Sequence, residues 1–398
     1  MKVGYISNKY PEVRNIINKV SSFNYVYDKN NNWYSIRNKL AVHLKSLKIL
    51  SDQQISYVFN HKSIVTKKEI DFYHFFNAVS FSGKPYIISF ESFVPRNKEF
   101  FFSYKTNNNH EHLSSEMLER QFIALKKKNC KNLIAISENA KNIQINLLEK
   151  CNPELARQIQ KKLLVIHPPQ KSIVNNYNEK KETLDDSLIR FIFIGRHFFR
   201  KGGYEATKAF DAVCRRNPNV NMELILIGDI EEKQDNTKPV TNDEIKSIKS
   251  LIASNPRIVY YKELSNSKVL ELIKKSHVGI LPTWSDSYGY SVLEMQSAGT
   301  PVITSNIRAL PEINNNASGW VINLPLSSTG EAEYMSVEGR EEIRSLLIKG
   351  LEENMEEIID NKAIIQEKGT KCLERIKEEH CPIKYERKLE KVYLGKVE

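Results

Sequence analysis

Between residues 188 and 305 the sequence repeats one scheme: a short run of apolar residues, a glycine or polar turn, then a helix-like segment. The apolar runs are "LIRFIFIGR", "MELILIGD", "RIVYY", "VGILP" and "TPVITS"; "YEATKAFDAVCRR", "SKVLELIKKS" and "SVLEMQSAG" are helical patterns between them. Runs this short and this continuously apolar suit strands covered on both faces. Helices between them make neighbouring strands parallel. Ligands of such α/β sheets bind at the carboxyl ends of the strands. Here those ends hold Gly195, Arg196, Gly228, Asp229 and residues 282–289.

The first half is also α/β, though less regular. "KVGYIS", "ISYVF", "FYHFFN", "PYIISFES" and "NLIAISE" read as strands, with helical stretches such as "SSEMLERQFIALKKK" between them. A chain of 398 residues exceeds one ordinary core, so two domains are expected. We place an N-terminal domain at 1–170, a polar linker at 171–187 ("KSIVNNYNEKKETLDDS") and a C-terminal domain at 188–375.

The formal net charge is +11, but it is unevenly spread. Residues 1–170 carry 26 Lys and Arg against 13 Asp and Glu, while the remainder carries 33 against 35. A basic half attracts anionic lipid or nucleic acid, or it is simply a lysine-rich solvated surface. No apolar run is long enough to span a bilayer, and the first residues lack a signal-peptide core. Five scattered cysteines suit a reducing compartment. These observations lead us to expect a cytoplasmic protein.

Two constellations carry chemistry. In "SDSYGYSVLEMQSAGTPVI", Gly289 lets the backbone bend where a helix begins near Tyr290. The unpaired N–H groups of such a start form an anion site suited to phosphate. Asp286 and Glu294 flank it, each able to bind a sugar diol, with the phosphates of one ligand between them. The plain alternative is a capping box, Ser291 to Glu294, with Asp286 as a turn residue. In "FIFIGRHFFRKGG", Arg196 and Lys201 stand just past a strand, where two cations suit a diphosphate. No Walker loop occurs.

In order and spacing these residues resemble glycosyltransferase family 4, retaining enzymes of the GT-B fold. "FIFIGRHFFRKGG" looks like the family's strand followed by Gly-Arg, four residues and Lys-Gly. "HVGILPTWSDSYGYSVLEMQSAGTPVITSNIRALPEI" looks like its pair of acids separated by seven residues. The resemblance is strong over 190–325 and softer before it, as in "NLIAISENAK" and "VIHPP". It implies two Rossmann-like domains with parallel sheets facing a central cleft, and a terminal helix at 376–398 that returns to the first domain. It implies a hexosyltransferase using a UDP- or GDP-linked sugar, with no metal and no further cofactor. The acceptor would be a saccharide or lipid-linked saccharide of lipopolysaccharide, O-antigen or capsule synthesis, met at the inner face of the cytoplasmic membrane.

Carried over by motif, Arg196 and Lys201 would hold the donor diphosphate and Glu294 the ribose. Asp286 would face the donor sugar. The backbone at Gly195, Tyr288, Gly289 and Tyr290 would approach phosphates and sugar, and Ser291 a phosphate oxygen. Asp286 stands where the family usually has Glu, and Lys262 where it often has Gly. The first strand is followed by "SNKYPEVRNI", without the glycines of many relatives. Glu91 stands where many relatives have His, so Glu91 and His74 are the acceptor-side candidates. Each also has a bland reading, as a loop Glu and a packed His. His110-Glu111-His112 lacks further ligands at metal-site spacing, so no metal is expected there. A GT-B nucleotide-sugar epimerase and, more remotely, a nucleic-acid-binding protein are the rivals.

Overall fold

In the computed structural model, residues 1–46, 59–96, 116–232 and 237–396 are described. The chain divides into two compact units. Unit 1 is Met1–Pro169 with Pro382–Glu398, and unit 2 is Gln170–Cys381.

Unit 1 is built on β1 (Lys2–Tyr5), β2 (Asn24–Tyr27), β4 (Phe72–Phe76), β6 (Tyr86–Phe90), β7 (Cys130–Ala135) and β8 (Leu163–Val165). These form one parallel sheet in the order β2-β1-β4-β6-β7-β8. A small parallel pair, β3 (Asn60–His61) with β5 (Val79–Ser80), lies outside it. The central strands "FYHFF" and "YIISF" are buried at every position, which is why they read as continuous apolar runs without alternation. Of the expected strand "ISYVF", only Phe59 falls among the described residues, in a turn beside β3. The helix Pro382–Tyr393 closes this unit: Tyr385, Leu389, Val392 and Tyr393 pack with Val3, Phe72 and Ile87.

Unit 2 holds β9 (Ile189–His197), β10 (Met222–Asp229), β11 (Ile258–Tyr261), β12 (Val278–Leu281), β13 (Val302–Ser305) and β14 (Gly319–Ile322). The parallel order is β11-β10-β9-β12-β13-β14. The chain starts mid-sheet at β9, winds outward through β10 and β11, then crosses back to β12. The order therefore reverses between β9 and β12, the position at which doubly wound sheets bind ligands.

The stretch 171–187 is no solvated linker. It contains the helix Tyr177–Lys181, and Lys180 is fully buried in unit 2. Its ammonium donates to the carbonyls of Ile273 (2.9 Å), Lys274 (2.7 Å) and Ser276 (2.7 Å) and to the Thr300 hydroxyl (2.8 Å). Residues 376–379 finish the preceding helix, Ala363–Glu379, and the return to unit 1 begins at Pro382.

Candidate functional site

Two helices start at the carboxyl edge of the strands that flank the reversal. After β9, the helix Gly203–Arg216 begins behind Gly202, whose φ is 82°. A Cβ there would stand 2.1 Å from the Pro282 carbonyl oxygen, so this turn admits only glycine. After β12, the helix Tyr290–Ser297 begins behind Gly289, at φ 94°, where a Cβ would meet Leu310 at 2.6 Å. Neither start has a side-chain cap. Each presents first-turn N–H groups and the positive end of a helix dipole at the reversal point, an arrangement that favours an anion. Ser291 lies inside the helix and Gly289 is the cap residue, so the capping box of Ser291 with Glu294 is not formed.

The loops carrying these starts are stitched together. The Arg200 carbonyl accepts from the Trp284 backbone N–H (2.9 Å) and the Thr283 hydroxyl (3.1 Å). The Lys201 stem crosses Gly195 so closely that a Cβ there would lie 2.6 Å from the Lys201 Cβ. Its Nζ reaches Asp286 Oδ2 at 2.5 Å, with the two side chains 15% and 17% exposed. Asp286 Oδ1 accepts the Tyr288 backbone N–H at 3.2 Å. Burial raises the Asp286 pKa, but Lys201, this N–H and the nearby Arg200 charge together hold it below the usual carboxylate range. Asp286 is thus both a turn residue and the partner of Lys201.

Of the other expected donor-side residues, Arg196 is exposed, and its side chain makes no hydrogen bond or ion pair among the described residues. Glu294 and Ser291 are half-buried on the helix behind Gly289. Tyr288 is buried, its ring 5.2 Å from that of Tyr290, so only its backbone is available to a ligand. Lys262 pairs with Asp229 at 3.3 Å on the same sheet edge.

Sequence reasoning missed two parts of this site. Arg200 was passed over although it adjoins Lys201. Glu331 supports the Asp286 loop from a distance: it accepts from the Ser285 hydroxyl at 3.2 Å and from Arg308 at 2.7 Å. Arg308 is buried with a left-handed φ of 49°, so the pair fixes a strained loop after β13. Forty-six residues separate Ser285 from Glu331, and no local pattern announces the contact.

On the acceptor side, His74 requires a correction. It is fully buried, with Nδ1 2.8 Å from the Tyr393 hydroxyl and Nε2 2.8 Å from Ser89 Oγ. Burial drives its pKa down to about 3, so it is a neutral packed histidine tying β4 to the terminal helix. It has no free face for an acceptor. Glu91 follows β6 on the carboxyl edge, where Arg96 (2.9 Å) and the Asn77 amide (3.3 Å) donate to its Oε1. His110-Glu111-His112 lies outside the described residues. Among those described, no group of three His, Cys, Asp or Glu is placed to hold a metal.

Two units, each built on a parallel six-stranded sheet, match the GT-B fold of solved glycosyltransferases. HepE of Anabaena, solved in complex with UDP-glucose, matches with a TM-score of 0.58 over 99% of this chain and 100% of that one, at 10% identity. WaaG, a glycosyltransferase involved in lipopolysaccharide biosynthesis, matches with a TM-score of 0.55 over 96% and 98%, at 13% identity. Residues 175–335, less than half of the chain, match the family described as "Glycosyl transferases group 1". By sequence the chain is similar to the capsular polysaccharide biosynthesis glycosyltransferase CapM of Staphylococcus aureus, with 26% identity over 151 residues, 37% of this chain and 36% of that protein. The first such relatives are matched over only 31% to 38% of their own length.

Proposed function

We propose that this protein is a retaining glycosyltransferase. It moves a hexosyl group from a nucleoside-diphosphate sugar to an acceptor hydroxyl in the synthesis of a cell-surface polysaccharide such as lipopolysaccharide, O-antigen or capsule. The observation that carries this reading is the pair of glycine-started, uncapped helices at the point where the strand order reverses, with Lys201 and Asp286 between them. Two helix starts with Arg196 and Lys201 match a diphosphate in charge and in donor groups. HepE, which shares this fold, was solved with UDP-glucose, and a ligand of that class is in keeping with this reading.

The chemistry asks for charge stabilisation above all. As the anomeric C–O bond to phosphate breaks, negative charge grows on the leaving diphosphate, where Lys201, Arg196 and the helix starts receive it. The acceptor oxygen bonds to the anomeric carbon on the same face, and its proton passes to the departing phosphate. Lys201 then has two suitors, Asp286 in the free protein and the diphosphate in the complex. When Lys201 turns to the phosphate, Asp286 is released to hydrogen-bond the donor sugar's hydroxyls, while Glu294 holds the ribose. The sequence has no Asp-x-Asp pattern, and turnover without a divalent metal is expected. An acceptor carried on an anionic membrane fits the charge of unit 1. The epimerase alternative draws no support from these matches.

Thermal unfolding with UDP, GDP, ADP and CMP, each with and without EDTA, tests the reading. A nucleotide at about 100 times its Kd adds roughly 2.7 kcal/mol, a shift of several degrees. Stabilisation by one diphosphate, unchanged by EDTA, is the expected result. No shift with any nucleotide overturns the proposal.

A further inference from the structure

Unit 1 exposes a group of large apolar side chains that a water-facing surface does not need. Along the helix Trp33–Ser46, Trp33 (49% exposed), Ile36 (53%) and Leu40 (57%) recur at the spacing of one helical stripe. Tyr34 is buried on the inner side, against Phe81. Beside the start of this helix lie Ile64 (48%) and Val65 (65%). They are held there by buried Asn31, which accepts from the Ile64 and Val65 N–H groups (2.9 and 2.8 Å) and donates to the Val65 carbonyl (2.7 Å). The Trp33 N–H donates to the Lys62 carbonyl at 2.9 Å, and the Asn32 side chain binds the Lys62 N–H at 3.1 Å. The exposed side chains therefore stand on two segments locked to each other.

The charge around them is mainly basic. Residues 28–40 and 59–69 hold six Lys and Arg against Asp28, which is buried and paired with Lys67 at 2.8 Å, and Glu69. Arg37 lies over the Trp33 ring at 5.9 Å, within the apolar stripe, and Lys39 and Lys62 are exposed nearby. Unit 1 as a whole carries 31 Lys and Arg against 16 Asp and Glu. A second copy would bring the same positive charge against this face. Nucleic acid would satisfy the cations and leave the aliphatic side chains with nothing to bury.

We infer that this face seats unit 1 on an anionic lipid membrane, the apolar stripe entering the headgroup boundary while the surrounding cations meet acidic headgroups. That division of labour is the physical signature of an interfacial helix. Trp33 follows β2 and Glu91 follows β6, so both lie on the carboxyl edge of the unit 1 sheet. A lipid-anchored acceptor held by this face is thereby presented at the edge where unit 1 would bind it. The purpose of the contact rests on the transferase reading; the contact itself does not.

Tryptophan fluorescence isolates the event, because the chain's other two tryptophans, Trp284 and Trp320, are buried. The full chain is titrated with phosphatidylcholine vesicles, alone or mixed with phosphatidylglycerol. The expected result is co-sedimentation with the mixed vesicles only, with a blue-shifted emission that brominated lipid quenches. Ile36→Glu with Leu40→Glu should weaken vesicle binding at least about tenfold. The same variant should keep its unfolding temperature and any nucleotide-induced shift, which separates loss of docking from misfolding or a failed donor site. Absence of binding, or binding without a change at Trp33, overturns the inference. So does a dimer in sedimentation velocity that the double variant splits, which would assign the face to a second copy.

Discussion

The two units share a parallel six-stranded architecture and differ in almost everything on their surfaces. Unit 2 has 28 Lys and Arg against 32 Asp and Glu, and unit 1 has 31 against 16. Thirteen of the sixteen exposed large apolar side chains among the described residues belong to unit 1, leaving Tyr261, Met335 and Val337 to unit 2. Unit 2 concentrates its chemistry at one sheet edge, with glycines at two helix starts. Unit 1 follows its first strand with "SNKYPEVRNI", where no glycine stands. On the two readings proposed above, the same architecture serves two solvents: unit 2 a small anion in water, and unit 1 something large, anionic and partly apolar.

The sharpest way to separate the units is acid. His61 and His74, both in unit 1, are fully buried, and burial lowers their pKa values to about 4 and about 3. Unit 2 has His277, mainly lowered by burial to about 4, and the half-buried His197, which burial also lowers. Each is neutral in the fold and takes up a proton in the unfolded chain below about pH 6.5. Their contribution to stability is complete above that pH and is lost as pH falls toward 4 and 3. At about 1.4 kcal/mol per pKa unit, unit 1 should lose several kcal/mol, and more than unit 2. Calorimetry over this range should show a unit 1 transition falling first, with His74→Gln flattening its pH dependence. Equal losses in the two units would break the comparison.

Next in size is the donor edge. Lys201→Ala, or Arg196→Ala, should lower kcat by about 10²–10³, the range for one preorganised charge donor. The exposed Arg196 can be removed with little change in unfolding temperature, whereas Lys201→Ala should also lower it by leaving Asp286 without its partner. A loss below about threefold in a folded variant would remove that residue from the site. The smallest effect concerns support. Glu331→Gln should cost about tenfold in kcat by loosening the Asp286 loop, while UDP affinity stays within about twofold. A parallel loss of UDP binding would mean that Glu331 holds the whole edge and not the Asp286 loop alone.

Unit 2 was the more legible in sequence for a physical reason. Its strands are mostly buried, β12 and β13 at every position, so most of them read as apolar runs, and its site residues follow those runs directly. Gly289 decided between two readings of "SVLE": the left-handed turn ends at Gly289, which puts Ser291 inside the helix and rules out the cap. What stayed hidden depended on distant partners. His74 looked available because its hydroxyl partner, Tyr393, is 319 residues away. Lys180 looked like part of a solvated linker because nothing nearby reveals the four oxygens that receive its ammonium. In unit 1, neither the short edge strand β2, "NYVY", nor the helix after it was read from the sequence: β2 is only half-buried, and Trp33, Ile36 and Leu40 of the helix are exposed while Tyr34 is buried, so neither gives a plain core-facing pattern.

The helix Pro382–Tyr393 has a consequence for biosynthesis. Part of the unit 1 core, around Val3, Phe72 and Ile87, is completed by side chains that leave the ribosome only after all of unit 2. Unit 2 is encoded without interruption and can finish folding while unit 1 still waits for its final helix. Domains usually mature from the N-terminus onward during synthesis. In this chain the first unit to begin should be the last to close, and a message broken after Cys381 would release a protein with an intact second unit and an unsealed first.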